Sequence, residues 1–179
     1  MADSSNISSL AAQLGKFDEV IESLPPIASW NPELSGSMDM LIKKDGGWWH
    51  EGELIKRDKL TRLFSSILKK EENDYFLVTP VEKWQIKVDD MPFVVQLAEA
   101  VEVAGKVVIT LMTNVGDVIV LNSDNKLLLD EGGLPFVEVR NGLMARLHRN
   151  VYYQLAELAA ENEQGQFVIS SSGVNQILG

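Results

Sequence analysis

The chain carries one pattern twice. Leu54-Ile55-Lys56-Arg57 opens an amphipathic helix, and Leu143-Met144-Ala145-Arg146 opens another about half a chain later. Each helix is followed by a short apolar run, Phe76-Leu77-Val78-Thr79 in the first half and Phe167-Val168-Ile169-Ser170 in the second. Continued without gaps, Gln85-Ile86 falls opposite Gln176-Ile177. A strand–helix–strand unit used twice implies two similar packed halves, and the cleft between such halves is where small ligands usually bind. The repeat is a statement about fold and carries no chemistry.

The spacing predicts an N-terminal helical extension over residues 1–29, a first α+β half over 30–91 and a second half over 92–179. Leu10, Leu14, Phe17, Val20, Ile21 and Leu24 recur at helical spacing and stop at Pro25-Pro26. Strands are expected at Met38–Lys43 and Trp48–His50 around an Asp45-Gly46-Gly47 turn. A helix beginning near Asp58 buries Leu60, Leu63, Phe64, Ile67 and Leu68, and strands Tyr75–Thr79 and Trp84–Val88 follow, joined through Pro80. Beyond Asp89–Pro92 come strands at Phe93–Val103, Val107–Thr113, Asp117–Leu121, Leu127–Asp130 and Phe136–Arg140, then a helix over Leu143–Glu161 and short last strands. The expected class is α+β, with the second half an antiparallel meander capped by a helix, a pleckstrin-homology-like outline that implies no function.

At 179 residues the chain buries enough surface to fold without disulfides or metal. The absence of Cys excludes thiol catalysis and Cys-ligated zinc, and only His50 and His148 remain, without the spacing of a helical zinc site. No cofactor or metal is expected. Sixteen basic against 26 acidic residues give a net charge of −10, a field that repels nucleic acid and anionic membranes. No apolar run reaches spanning length, and Met1–Gln13 lacks the make-up of a signal peptide, so a soluble, cytoplasmic protein is expected.

Enzyme templates fail one by one. Gly132-Gly133 leads into Leu134-Pro135 with no phosphate-binding lysine, and Ser170-Ser171-Ser172-Gly173 is a turn rather than a nucleophile elbow. Asp89-Asp90, Asp130-Glu131 and Glu71-Glu72 read as solvated turn charges, and His50-Glu51 as a strand end. The second predicted helix is more informative. Met144, Leu147, Val151, Leu155 and Leu158 make its core stripe, and Arg146, Arg149, Asn150, Tyr153 and Glu157 the opposite face. With Arg140 at the preceding strand end, three arginines and a tyrosine form a basic spot suited to phosphate or carboxylate, or else a solvated face. Arg57 occupies the matching place in the first helix. Trp49 and Trp84 either line a cleft or, with Trp30 and Trp48, fill the core. Thr79-Pro80-Val81-Glu82-Lys83 sets a hydroxyl, a carboxylate and an ammonium on one constrained turn, either a strand connection or part of a polar site.

Trp30-Asn31-Pro32, Ile55-Lys56-Arg57, Leu63-Phe64, the run from Tyr75 to Lys83, Thr113-Asn114-Val115-Gly116-Asp117, Val139-Arg140, Gly142-Leu143, Ala145-Arg146 and Arg149 together resemble a bacterial family, domain of unknown function 1285. The resemblance runs from Trp30 to Gly179 and departs near the end, at Gln176, where an aromatic is expected. It implies a duplicated core, a pleckstrin-homology-like C-terminal half, a binding site between the halves for a nucleotide-like ligand, and a part in signal transduction. No enzymatic activity comes with it.

The first functional expectation is therefore a non-enzymatic sensing module for a small anionic, nucleotide-like molecule. Its candidate site residues are Arg57, Arg140, Arg146, Arg149, Tyr153, Trp49, Trp84, Thr79, Glu82 and Lys83. The alternative is a protein-interaction scaffold that meets a signalling partner through sheet edges or the N-terminal helix.

Overall fold

The structure is a computed structural model that describes Leu10 and residues 24–179. The helix expected between Leu10 and Leu24 lies outside the described residues. The chain divides into two compact units, Met1–Asp90 and Met91–Gly179.

In the first unit the strands are β1 (Gly36–Ile42), β2 (Trp48–His50), β3 (Glu53–Leu54), β4 (Leu68–Glu71), β5 (Asp74–Val78) and β6 (Lys83–Val88), with α1 (Asp58–Ser66) between β3 and β4. They form one sheet in the order β3-β2-β1-β6-β5-β4, antiparallel except for the β1–β6 pair. The β1–β2 turn follows from Asp45-Gly46-Gly47. Gly46 has φ +86°, and Asp45 accepts a 2.9 Å bond from the Gly47 amide. Alternation along β1 buries Met38, Met40 and Ile42. A nine-residue helix is marginal alone, and α1 is held by its packing. Phe64 stacks on Trp48 at 6.2 Å, and Ile67, Leu68, Leu77 and Ile86 complete the core.

In the second unit β7 (Phe93–Val103), β8 (Lys106–Thr113), β9 (Val118–Val120), β10 (Leu127–Leu129), β11 (Pro135–Arg140) and β12 (Leu143–Leu147) form a sheet in the order β10-β11-β12-β7-β8-β9, with β12 and β7 parallel. Then come α2 (Arg149–Glu157) and a three-stranded sheet of β13 (Ala160–Glu161), β14 (Phe167–Ser171) and β15 (Val174–Ile177). The fold is α+β, two similar halves that are mostly sheet.

The helix expected over Leu143–Glu161 is corrected at both ends. Leu143–Leu147 is strand β12, α2 covers only Arg149–Glu157, and Ala160–Glu161 is β13. Leu143, Ala145 and Leu147 are buried and alternate with half-buried Met144 and Arg146, a period of two that the helical reading overlooked. Asn141 and Gly142, at φ +49° and +76°, turn the chain back so that β12 pairs with β11. The helix starts only where His148 caps it, accepting a 3.2 Å bond from the Asn150 amide.

The duplication survives this correction. Helix α1 with β4–β6 and helix α2 with β13–β15 have the same order, and one offset of 91 residues takes Asp58 to Arg149, Phe76 to Phe167 and Gln85 to Gln176. It takes Arg57 to His148, so the expected match of Arg57 with Arg146 is corrected, and neither Leu54–Arg57 nor Leu143–Arg146 opens a helix. The halves differ in how the last strand is attached. Gln85 pairs along the β1–β6 ladder opposite Ser37. Gln176 instead uses its buried side chain, whose Oε1 accepts from the Leu127 amide at 3.0 Å and whose Nε2 donates to the Asn122 carbonyl at 3.1 Å. One amide there replaces a ladder.

Candidate functional site

In the first unit the Thr79–Lys83 turn is self-contained. Thr79 is buried, and its Oγ1 accepts from the amides of Val81 at 3.3 Å and Glu82 at 3.0 Å, while the Thr79 amide donates to the Glu82 carbonyl at 2.9 Å. The hydroxyl is therefore used in shaping the turn, and Glu82 in closing it. Lys83 Nζ is bonded to Glu71 and stands 4.4 Å over the Phe76 ring, and Lys69 reaches the same carboxylate at 3.2 Å. Trp49 lies 3.7 Å beneath the Lys43 ammonium. Strand register puts Trp49 on the face of Lys83 and Lys87 and puts Trp84 on the other, so the two indoles do not share a site. Trp84 packs on Gly36, where a Cβ would come within 3.2 Å of the ring. The ring nitrogens Nε1 of Trp48, Trp49 and Trp84 and Nε2 of His50 are buried without a hydrogen-bond partner among the described residues. Arg57 is exposed at the N-terminus of α1 and its carbonyl accepts the first bonds of that helix.

The hydrogen bond from Lys83, partly opposed by burial and helped by Lys69, holds the Glu71 carboxyl below its ordinary value of 4.5. A carboxyl depressed on folding contributes stability that is complete above its unfolded pKa and is lost as the pH falls through the folded one. Chemical unfolding across a pH series should therefore show stability falling below about pH 4.5, with a shallower fall in Glu71→Gln.

In the second unit the expected arginine face is redistributed. Arg146 stands on β12, opposite Phe136, and donates to Asp130 at 2.8 Å. Asp130 also accepts from the amides of Gly132 and Leu134 at 2.9 Å each, and these backbone bonds, with Arg146, hold its carboxyl below the usual range. Arg146 is thus the lock of the β10–β11 turn. It does not share a helix face with Arg149, because β12 ends before α2 begins. Arg149 and Tyr153 do share one, four residues apart on α2 and both exposed.

Arg140 takes a different place. It ends β11 beside a register shift against β12, is ion-paired with Asp117, and lies 4.9 Å over the Phe93 ring. Asp117 is oriented in turn by Thr113, whose Oγ1 accepts from the Asp117 amide at 3.1 Å. Beside Arg140 opens a hollow of about 510 Å³, lined by Asp124, Asn125, Lys126, Leu128, Glu138, Val139 and Arg140. Its rim is built from an Asx turn, in which Asn122 Oδ1 accepts from the amides of Asp124 and Asn125 at 2.8 Å each. Glu138 is held by the Gly142 amide at 2.8 Å. Two cations and two carboxylates therefore face one small hollow. Of these four, the sequence pattern points only to Arg140. The Asn122–Asn125 turn signal was present, but nothing local to it announces that Lys126 meets Arg140, which requires the β10–β11 pairing.

No helix among the described residues is long and apolar enough to cross a membrane. No curated protein matches the chain. Among solved structures, it is similar to a DUF1285 family protein from Silicibacter pomeroyi, with TM-score 0.78, 41% identity and 87% of each chain covered. It is also similar to a DUF1285 family protein from Shewanella baltica, with TM-score 0.55 and 25% identity over 67% of this chain and 91% of the other. Residues 25–91 match the N-terminal domain of the domain of unknown function DUF1285, and residues 92–177 match the C-terminal domain of that family. With both domains matched in order across nearly its whole described length, the chain belongs to the DUF1285 family.

Proposed function

We propose that this protein is a non-enzymatic, cytoplasmic binding module for a small anionic, nucleotide-like molecule, acting in signalling. The observation that carries the reading is the hollow beside Arg140. Its volume lies in the range of small-molecule sites. Arg140 is fixed from behind by Asp117 and Phe93, so little side-chain freedom is lost when it meets an anion. Lys126 adds a second positive charge, and Asp124 and Glu138 offer acceptors. A ligand that combines a phosphate with amino or hydroxyl donors satisfies both signs, and a nucleotide is such a ligand. Arg149 and Tyr153 on α2 provide a further guanidinium and an exposed ring in the same unit.

The test is a nucleotide panel read by thermal shift and calorimetry. A ligand at about 100 times its dissociation constant adds roughly 2.7 kcal/mol of stability. Lys126 is exposed and makes no hydrogen bond or ion pair among the described residues, so Lys126→Glu should leave the unliganded melt unchanged. Loss of its charge-assisted contact should weaken binding roughly 10- to 150-fold. A panel without a hit, or a variant that binds as well as the wild type, would remove the hollow from consideration.

A further inference from the structure

Strands β7 and β8 run on together past the end of their neighbours. The β12 ladder on β7 stops at Val95, opposite Leu147, and the β9 ladder on β8 covers Thr110–Met112. From Glu99 round to Val107 every residue is exposed. The ribbon closes at Ala104-Gly105, with φ +51° and +74°, a two-residue turn of the hairpin-favoured kind. Such a turn makes Val103 and Lys106 a hydrogen-bonded pair, and bonding then alternates along the ladder. The N–H and C=O groups of Val107 and Ile109 therefore point out from the β8 edge, and those of Ala98, Ala100 and Glu102 from the β7 edge.

The two edges are treated differently. On β8, the Val107 carbonyl accepts from the Ser172 amide at 2.8 Å, the Ile109 amide donates to Ser171 Oγ at 2.9 Å, and the Ile109 carbonyl accepts from the Leu121 amide at 2.9 Å. On β7, Gln154 donates to the Ala98 carbonyl at 2.9 Å, and the outward groups of Ala100 and Glu102 meet no partner among the described residues. An open edge is a template for another strand. The face beside it is apolar, because Leu97, Val101 and Val103 point the same way and are 44%, 48% and 55% exposed. Met112 and Val118 continue that face across β8 and β9.

Charge selects the occupant. Glu99 lies on the apolar face and Glu102 on the other, and Glu157 follows Gln154 by one turn of α2. Lys106, the cation beside the hairpin turn, leans over Gly173 at the β8 side. A second copy would bring its own Glu99 and Glu102 to an edge that already carries two carboxylates, and would add another net charge of −10. We infer that the β7 edge from Ala98 to Val103 receives an extended strand of a partner protein in which apolar residues alternate with lysine or arginine. The apolar side chains would lie against Val101 and Val103, and the cations, on the opposite face, would meet Glu102. This inference does not depend on the hollow beside Arg140.

The probe is a fluorescein-labelled peptide of about seven residues alternating valine and lysine, with a valine–glutamate twin as control, titrated against the full chain by anisotropy. The lysine peptide should bind at least about tenfold more tightly than its twin, and binding should weaken with added salt. Amide exchange at Ala100 and Glu102 should slow in its presence. Ala100→Pro deletes one outward N–H and no bond within the hairpin, a place where an edge strand tolerates proline. It should weaken the lysine peptide on the order of tenfold while leaving the melt unchanged. Should Ala100→Pro fail to fold, the double variant Glu99→Lys/Glu102→Lys should invert the preference between the two peptides. Equal binding of both peptides, no binding of the lysine peptide up to about 1 mM, or indifference to both sets of substitutions overturns the inference. So does a wild-type dimer in sedimentation that Ala100→Pro abolishes, because a second copy would then own the edge.

Discussion

Trp48→Ala is expected to destabilise the first unit by about 3–5 kcal/mol, the ordinary cost of removing a large ring from a packed core. Trp48 is 1% exposed and stacks on Phe64, one of the contacts that tie α1 to the sheet. A nine-residue helix has little stability of its own, so the loss should show as premature unfolding of α1 in amide exchange as well as in a urea midpoint. Trp48→Phe is the informative companion. The indole Nε1 of Trp48 is buried with no hydrogen-bond partner among the described residues, so phenylalanine removes an unsatisfied donor along with some volume. Its cost should be well below that of alanine, about 1–2 kcal/mol. A Trp48→Phe loss as large as that of Trp48→Ala would mean that the nitrogen is bonded in solution, through water or a ligand.

The residues that were legible in advance are those whose neighbours in sequence are also their neighbours in space. Asp45-Gly46-Gly47 makes its turn with its own side chain and amides, and the Thr79–Lys83 turn is closed by Thr79 within the same five residues. Helix α1 follows from the spacing of Leu60, Leu63 and Phe64, but the expected stripe runs too far: the helix ends at Ser66, Ile67 caps it and Leu68 already begins β4. The segment Leu143–Leu147 is not legible locally, because five residues with apolar positions at both helical and strand spacing cannot decide between them. The deciding contact, β12 against β7, joins residues some 50 apart in the chain. The arginines failed for the same reason. Arg146 belongs to Asp130 and Arg140 to Asp117 across strands, so a helical wheel drawn over 143–161 grouped side chains that the sheet separates. What remained of that group, Arg149 with Tyr153, is the part that lies on one uninterrupted helix.

Gln176 shows how a departure from a family pattern can be structural in its effect. In the sequence it stands where an aromatic is expected, which argues against stacking and offers no alternative role. In the fold its carboxamide joins β15 to the Leu127 amide and the Asn122 carbonyl, and no backbone ladder joins β15 to β10. Gln176 is 1% exposed, its bond to the Leu127 amide is buried and its bond to the Asn122 carbonyl partly so, and removing the carboxamide leaves both groups short of a partner. Each buried group left unsatisfied costs about 1–3 kcal/mol, and Gln176→Leu should therefore destabilise the second unit by roughly 2–5 kcal/mol despite its similar volume. Gln176→Glu keeps the acceptor that faces Leu127 and loses the donor to Asn122, while burying a charge. It should be worse than leucine at neutral pH and recover on acidification, when the protonated carboxyl can donate to the carbonyl. The equivalent substitution in the first half, Gln85→Leu, touches only an exposed 3.2 Å bond to Asp74 and should cost well under about 1 kcal/mol. Because the Asn122 carbonyl lies in the Asx turn that forms the rim of the hollow, Gln176→Leu should also weaken any ligand that binds beside Arg140. Equal losses for Gln85→Leu and Gln176→Leu in urea unfolding would show that the two halves are closed in the same way, and that the carboxamide carries no special share of the second.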